Sequence, residues 1–510
     1  MAEQVKKANY TLVVALCLFA SMGGFLFGYD TGTIGGLLNM QNFKEHFASY
    51  SPSSGYYFSN VRTGLIVAVV SIGCCIGCLV SGNMADRIGR RGSIIVWTIV
   101  YAIGMVIQIS ASRAWYQIMI GRIVAGGGIG ALSTLVPMYQ SETCPKHLRG
   151  ILVSSFQLFI TMGILIGYCV VKATEGQRST SAWRIPLGIC FIWAGVLGVG
   201  MAFMPESPRY LLKKGDRTAS TNSLAKVYAT SPDDPLVQEE VKEIAEGIER
   251  EEAEGTASWG ECFTGKPKMF RRLLIGVGVM ILQQLTGANF FFYYGNSIFQ
   301  SVGLDDSYIT AIILGAVNFV STIPALFLVQ YFGRRILLIV GAVWMFLWFM
   351  VFASMGTFHD SSDPNVGRVM IAAACMFILG FATTWAPLAW VIVSETYPIR
   401  VRSKAMGIAT SGNWMMNFLI SFFTPFITSA IGYRYGYVFA ACCIFAAFFV
   451  YFLVPETKGR SLEEVDELYA AGVPAWRSAN WDPQTGLQGK NNGLEFQRKE
   501  VVRGDSAATV

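Results

Sequence analysis

The chain has 510 residues, 53% of them hydrophobic and only 14% charged, with a formal net charge of +6. Soluble domains carry roughly 25% charged residues, and no single soluble core could bury this much apolar surface, so the composition excludes an ordinary soluble enzyme. The basic excess sits in short segments between apolar runs, with no basic stripe interleaved with aromatics, which excludes a nucleic-acid footprint.

Residues 1–10 form a short polar N-terminus. About twelve apolar runs follow, each long enough to cross a bilayer core as a helix. Six lie near 11–38, 61–82, 93–111, 115–138, 151–172 and 184–204. Six more lie near 271–299, 308–331, 336–356, 368–393, 404–430 and 435–454. The first run is too long for a signal peptide and lacks a small-residue cleavage site, so it reads as span 1. Between the two sets, residues 205–270 are rich in acidic side chains. There Asp234-Pro235 provides an N-cap and first-turn proline for a helix whose Val237, Val241, Ile244 and Ile248 recur at helical spacing. After span 12, Ser461-x-x-Glu464 predicts a capped short helix through about Leu468. From about 473 the sequence is polar and aperiodic, which predicts disorder. The expected organisation is an N-terminus (1–10), a six-helix half (11–204), a helical linker module (205–270), a second six-helix half (271–454) and a tail (455–510).

The two halves echo one another. SETCPKHLRG at 141–150 returns as SETYPIRVRS at 394–403, with Ser, Glu, Thr, Pro and Arg on the same five positions. Gly89-Arg90-Arg91 returns as Gly333-Arg334-Arg335, and Pro205-Glu206-Ser207 as Pro455-Glu456-Thr457. Three polar motifs in one order at nearly one offset imply an internal repeat, and parallel repeats with a site between them are a transporter architecture. Arg87, Arg90 and Arg91, Lys146 and Arg149, Arg334 and Arg335, and Arg400, Arg402 and Lys404 all fall in loops on one side. That side, with both termini, is expected to be cytoplasmic. Lys44, Arg113, Arg178 and Arg434 on the other side reduce the asymmetry without reversing it.

Several tempting signals have plainer readings. Nine of the eleven cysteines lie within spans, where cysteine packs as a small hydrophobe. Cys75-x-x-Cys78 has no histidine or second pair in its helix, so no metal is expected. Gly126, Gly128 and Gly130 mimic a dinucleotide fingerprint but lie in a span, where small residues let helices approach closely. His46, His147 and His359 sit in separate loops without a nucleophile, so no enzyme is expected.

Ionisable residues inside spans are expensive and suggest function. Asp30 in span 1 and Arg122 in span 4 could face one another in the bundle interior. A carboxylate that pairs with arginine when ionised and releases it when protonated is a two-state element biased by a proton; a fixed structural pair is the plainer reading. A second set is uncharged: Gln157, Gln283, Gln284, Asn289, Asn318, Asn413 and Asn417. These amides accompany the helix breakers Gly287 and Pro387, and broken helices at mid-membrane mark transporter sites. Amides offer donors and acceptors without charge, which suits a neutral ligand rich in hydroxyls. Trp390 and Trp414 would present flat apolar faces to its ring.

These pieces together resemble the sugar porter family of the major facilitator superfamily, and specifically its fungal hexose transporters. The resemblance rests on GYDTG (28–32), DRIGRRG (86–92), GRIVAGGGIG (121–130), the SETCPKHLRG segment, PESPRYL (205–211), QQLTGANFFFYY (283–294), NWMMN (413–417) and PETKGRSLEEV (455–465). It implies an all-α membrane protein of two pseudo-symmetric six-helix halves, the major facilitator fold, working by alternating access. By motif position it implies Gln157, Gln283, Gln284, Asn289, Asn318, Trp390 and Asn417 as sugar ligands, with Tyr293 and Tyr294 gating the external side. It implies a cytoplasmic latch of ion pairs from Arg90, Arg91, Glu142, Arg149, Glu206, Arg334, Arg335, Glu395, Arg402 and Glu456. Gln330-Tyr331 departs from the family pattern and should weaken the second-half latch; Ala386 stands where glycine is common and should stiffen span 10.

The leading expectation is a plasma-membrane hexose transporter, a symporter driven by a proton through Asp30 and Arg122. An uncoupled facilitator on the same fold remains open, as do a sugar receptor and a polyol or quinate transporter. The expected partners are a small neutral sugar and the lipid bilayer, with no nucleic acid. The chain is expected to work as a monomer without a cofactor beyond the coupling proton.

Overall fold

The computed structural model describes residues 10–52, 55–145, 148–252, 258–292, 307–359, 363–398, 400–460 and 462–482. Among them, ten helical segments are long and apolar enough to cross a membrane. Two of these, Asn60–Ile109 and Arg402–Leu453, run 50 and 52 residues. A straight helix of that length would be about 75 Å long, more than twice a bilayer core, so each must turn. The first turns at Gly89, with φ 86° and ψ 171°. The second turns through a short 3₁₀ segment, Gly432–Arg434. The ten segments thus make twelve passes.

In chain order, span 1 is Thr11–Asn39, spans 2 and 3 lie either side of Gly89, and span 4 is Trp115–Thr143. Span 5 is Arg149–Thr174, span 6 Ser181–Phe203, span 7 Met269–Phe292, span 8 Tyr308–Phe332 and span 9 Arg334–Phe358. Span 10 is Asn365–Thr396, span 11 Arg402–Ile431 and span 12 Tyr435–Leu453. Their outward faces carry large apolar side chains such as Ile99, Val199, Phe203 and Phe448. Exposed in water these would be a liability; against lipid they are the expected surface.

Two spans are broken where the sequence pointed. Span 7 loses its regular helix after Leu285, and Gly287 takes φ +88° with Phe439 and Phe349 packed where a Cβ would stand. Span 10 ends one helix at Thr383 and begins another at Trp385, with Thr384 at φ −130° and ψ −82°. Pro387, third residue of the new helix, explains the break. It has no N–H to offer an acceptor one turn back and its ring crowds that carbonyl, whereas the first turn of a helix needs neither.

The glycines of span 4 pack helices, as their spacing suggested. A Cβ on Gly126 would lie 2.2 Å from the Val70 carbonyl oxygen, and one on Gly130 2.1 Å from that of Cys74, both in span 2. One on Gly128 would strike Tyr101 and the Trp97 carbonyl of span 3. Three spans therefore meet with backbones in contact.

Outside the bundle the linker forms several helices: Pro208–Lys213, Arg217–Val227, Pro235–Glu252 and Glu261–Thr264. Val237 and Val241 of the third are fully buried, clustered with Leu224, Cys144 and Val13. Beside them, burial raises the Glu240 carboxyl above its ordinary range, against the opposing pull of the Tyr228 hydroxyl and of Arg209 and Arg149. The tail corrects an expectation. Its helix runs Leu462–Ala471, and residues 475–480 form a 3₁₀ segment with Ala475 and Ser478 buried. Ser461 of the expected capping box and the tail beyond 482 lie outside the described residues.

The helix contacts yield a paired test. Gly130→Ala should overpack the span 2–span 4 contact, at a cost of about 1–3 kcal/mol, and lower the unfolding temperature of the detergent-purified protein. Gly127→Ala is the control, because its Cβ would meet nothing closer than 3.6 Å. Its unfolding temperature should be unchanged or slightly raised.

Candidate functional site

A small cavity lies between the halves, near the broken segments of spans 7 and 10. Gln157, Gln283, Gln284, Asn289, Asn318, Trp390 and Asn417 all line it, from spans 5, 7, 8, 10 and 11. Thr31, Asn413, Phe27, Phe292 and Phe381 complete the wall. The composition is that of a neutral polar ligand's site: amides around it, aromatic rings between them, no charge on the lining.

Most of these amides hold one another. Gln283 Nε2 donates to the carbonyls of Trp385 and Ala386 at 3.2 and 3.0 Å, where the break in span 10 leaves them within reach. Asn413 Nδ2 donates to Gln283 Oε1 at 2.7 Å, and Gln284 Nε2 donates to Asn413 Oδ1 at 2.8 Å. Gln284 Oε1 accepts from Asn289 and, at 3.4 Å, from Asn417. Two bonds cross between halves: Trp390 Nε1 donates to Gln157 Oε1 at 3.1 Å, and Ser71 Oγ donates to Asn417 Oδ1 at 3.0 Å. Asn318 differs. It is 1% exposed, lines the cavity, and neither Nδ2 nor Oδ1 has a hydrogen-bond partner among the described residues. An unmet buried amide costs about 1–3 kcal/mol, so this side chain is poised for a ligand that brings both a donor and an acceptor.

Trp414 is not part of the wall, which corrects the expectation for its ring. It is buried behind Phe27, ring centroids 4.8 Å apart, and its Nε1 donates to Ser133 Oγ at 3.2 Å. Phe27 presents the aromatic face instead. Tyr293 and Tyr294 lie outside the described residues.

Next to Thr31 on span 1, Asp30 meets Arg122. Nη2 reaches Oδ2 at 3.3 Å and Nη1 reaches Oδ1 at 3.5 Å, with both residues almost wholly buried. Arg122 therefore does not extend to a membrane interface. A buried pair of this kind is strongly destabilised when one partner alone is removed, by about 3–5 kcal/mol.

At the arginine-rich end the sequence echoes become two nearly identical cradles. After Gly89 the first backbone N–H groups of span 3 are unbonded within their helix. The Glu206 carboxylate takes them: Arg90 N at 2.9 Å and Arg91 N at 3.1 Å, with Ser207 N at 2.9 Å. Glu456 does the same for span 9, accepting from Arg334 N at 2.9 Å, Arg335 N at 3.1 Å, Thr457 N at 3.1 Å and Lys458 N at 3.0 Å. Gly333 has φ 84° and ψ 172°, nearly the angles of Gly89. A Cβ would lie 2.2 Å from Glu206 Oε2 at Gly89 and 2.6 Å from Glu456 Oε2 at Gly333. Glycine is required twice over, by its dihedral angle and by the carboxylate against it.

Each cradle also holds a buried arginine–carboxylate ion pair. Arg90 reaches Glu142 at 2.9 and 3.0 Å, and Arg334 reaches Glu395 at 2.8 and 3.2 Å. Ser207 Oγ donates to Glu142 at 2.6 Å, and Thr457 Oγ1 donates to Glu395 at 2.7 Å. Arg91 and Arg335 turn away, donating to the Met204 and Tyr451 carbonyls near the ends of spans 6 and 12. Cations suit those helix C-termini.

Arg402 and Arg149 occupy the same position of the repeated decapeptide but have different surroundings. Arg402 donates to the Tyr397 carbonyl and lies close enough for its charge to act on Glu142 of the other half. Arg149 is buried with its charge acting on Cys144 and on Glu240 of the linker. Asp86, which sequence reading passed over, pairs with Arg90 at 3.5 Å and accepts from Ser403 Oγ across the halves at 2.7 Å. Its repeat partner is Gln330, an amide where the first half has a charge. The serine and threonine of the repeated Pro-Glu-Ser/Thr triplet were also legible as a shared hydroxyl.

Comparison with known proteins places these features. A family model described as sugar (and other) transporter matches residues 16–469. A low-affinity glucose transporter of Kluyveromyces lactis is 50% identical over 492 residues, covering 95% of this chain and 87% of that protein. The low-affinity glucose transporter HXT3 of Saccharomyces cerevisiae is 48% identical over the same shares. The major facilitator proton:xylose symporter XylE, solved with 6-bromo-6-deoxy-D-glucose bound, superposes with a TM-score of 0.80 at 29% identity, covering 90% of this chain and all of that one. With its twelve passes, internal repeat and central cavity, the chain belongs to the sugar transporter family of the major facilitator superfamily.

Proposed function

We propose that this protein carries a hexose, glucose or a close relative, across the plasma membrane by alternating access, with its arginine-rich end and both termini cytoplasmic. The observation that carries the reading is the cavity between halves, lined by nine polar or indole side chains and holding the Asn318 amide, which has no partner among the described residues. The two yeast relatives, both named as low-affinity glucose transporters, point to a hexose. A sugar hydroxyl both donates and accepts, so one hydroxyl pair satisfies both atoms of Asn318, while Trp390 and Phe27 cover the apolar faces of the ring. The cradles hold each half rigid at the cytoplasmic end, so that the ties between halves, such as Ser403 on Asp86, keep that end shut while sugar enters and part to let it leave.

Asp30 is the proposed proton site. It sits one residue from the cavity-lining Thr31 and faces a cation whose separation would change its proton affinity. XylE, a proton symporter by its description, shares the fold. A second reading, uncoupled transport, is favoured by the closure of the pair itself: the Arg122 guanidinium lies 3.3–3.5 Å from both carboxylate oxygens. Arg122 would then be its permanent counter-ion.

Two measurements follow. Asn318→Ala should raise the KM for glucose roughly 5- to 100-fold, the range for losing a buried hydrogen-bond partner, with near-normal surface expression. Gln283→Ala should do similar harm, but it also removes the amide that bonds the broken segment of span 10, so its folding must be checked. An unchanged KM in Asn318→Ala would place the sugar elsewhere. For coupling, wild-type uptake should collapse with a protonophore, and Asp30→Asn should lose accumulation against a gradient while keeping exchange down one. Wild-type uptake indifferent to protonophore and external pH would establish the uncoupled reading.

A further inference from the structure

The two cradles are alike in front and different behind. Behind the first, Ser223 Oγ of the linker donates to the Glu206 carbonyl at 2.6 Å. Behind the second stands the tail, whose chain turns at Gly472, passes Pro474 and folds back as the 3₁₀ segment Ala475–Asn480. Ser478 is fully buried. Its Oγ accepts from the Glu456 backbone N–H at 2.8 Å and donates to the Ala475 carbonyl at 2.6 Å. Arg460 ties down the far end, Nη2 donating to the Ser478 and Trp481 carbonyls at 2.8 Å each while its guanidinium lies 5.1 Å from the Trp481 ring centre. Trp476 sets its edge against Phe452 of span 12.

We propose that residues 474–482 are a strap that positions Glu456, with Ser478 as the positioning residue and Arg460 as its anchor, and that the strap sets how firmly the second cradle holds its end of the transporter shut. The argument is one of accounting for buried donors. The Glu456 carboxylate is fully occupied by four backbone N–H groups, so its aim depends on where its own backbone is held. Ser478 is the group that holds it, through the N–H on the side away from span 9. Without that hydroxyl the Glu456 N–H is left buried and unmet, and the backbone is drawn toward water. The Asp86–Ser403 bond ties the first cradle across the halves, and the strap supports the second from behind. In consequence it acts on opening of the cytoplasmic end and not on sugar recognition, a claim that rests on the alternating-access reading above.

Hydrogen exchange of the purified full-length protein tests the positioning independently of what is carried. In Ser478→Ala, peptides covering 333–336, whose amides bond Glu456, should exchange roughly 5- to 100-fold faster, the range for orphaning one buried donor. Arg460→Ala should act in the same direction. Peptides covering 89–92 of the first cradle should be unchanged in both, and the exposed Arg477→Ala should change neither. In proteoliposomes without an ion gradient, Ser478→Ala should raise the KM for glucose influx and lower that for efflux, because freeing the cytoplasmic closure shifts the empty carrier inward-open. Loss of folded protein would move neither KM. In a Glu456→Gln background the Ser478→Ala effect should largely vanish, since residues acting as one unit are not additive. Unaltered exchange at 333–336 overturns the strap. Faster exchange there with both KM values unmoved overturns its role in opening. Wild-type protein that carries no hexose would instead overturn the proposed substrate, and the exchange result would still decide the positioning.

Discussion

A carboxylate set on the free N–H groups of a helix start is the constraint on which the rest of this molecule depends. Glu206 and Glu456 each cap a helix that begins straight after a glycine with φ near +85°. The charge meets the positive end of the helix and satisfies donors that would otherwise be orphaned. Because the same glutamate ends a segment leaving span 6 or span 12, each cap ties the last span of a half to its third. Arg90–Glu142 and Arg334–Glu395 then lock span 4 and span 10 to the same points. Three helices per half are thereby fixed at one end by groups that are buried, charged and mutually satisfied.

Burial changes the energy scale. Surface ion pairs contribute about 0–1 kcal/mol, and the sequence alone gives no reason to assume more. Arg90, Glu142, Arg334 and Glu395 are all about 5% exposed, so removing one member leaves a buried charge, a cost of about 3–5 kcal/mol. At the opposite end the described contacts between halves include a cation–π contact, with Lys172 Nζ 5.7 Å from the Tyr308 ring centre, and neutral hydrogen bonds. Tyr168 Oη donates to the Phe292 carbonyl at 3.1 Å, and Tyr308 Oη donates to the Gly36 carbonyl at 3.3 Å. Such bonds contribute about 0.5–1.5 kcal/mol each. A transporter whose two ends closed with very different strength would rest in one state. Parting the halves, however, need not dismantle the cradles, because most of their bonds lie within a half. Across the interface run fewer ties, such as Ser403 on Asp86 and Arg402 near Glu142. The strong network keeps each half rigid, and the weaker cross-ties decide when the end opens.

The fold was readable because its signals are long or repeated. Apolar runs mark the passes, and three echoed motifs mark the symmetry that places the cradles. The breaks in spans 7 and 10 followed from Gly287 and Pro387, whose backbone limits hold in any context. Other features depend on contacts that no local pattern records. Nothing in the sequence separates Asn318, whose amide waits unpaired, from Gln284, whose amide is used by its neighbours. Trp414 and Phe27 exchange places as cavity wall because packing, not residue type, decides which ring stands in front. Arg149 and Arg402 share a motif position, yet the linker helix on one side draws their charges to different partners. Residues 475–480 read as disordered because they lack periodicity; their order comes from Arg460 and the Glu456 N–H, neither of which a pattern search would join to them.

The central claim is that the buried cradles keep each half rigid at the arginine-rich end, so that the ties between halves hold that end shut until sugar is in place. Distance distributions between spin labels, introduced through unnatural amino acids at the exposed Arg87 and Tyr331, would test it most directly in nanodiscs. The account predicts one short-distance population in the sugar-free wild type. It predicts a second, longer population of comparable weight when either Glu206→Gln or Glu456→Gln removes a cradle's charge. A single unchanged distribution in both variants, with folding intact, would contradict it.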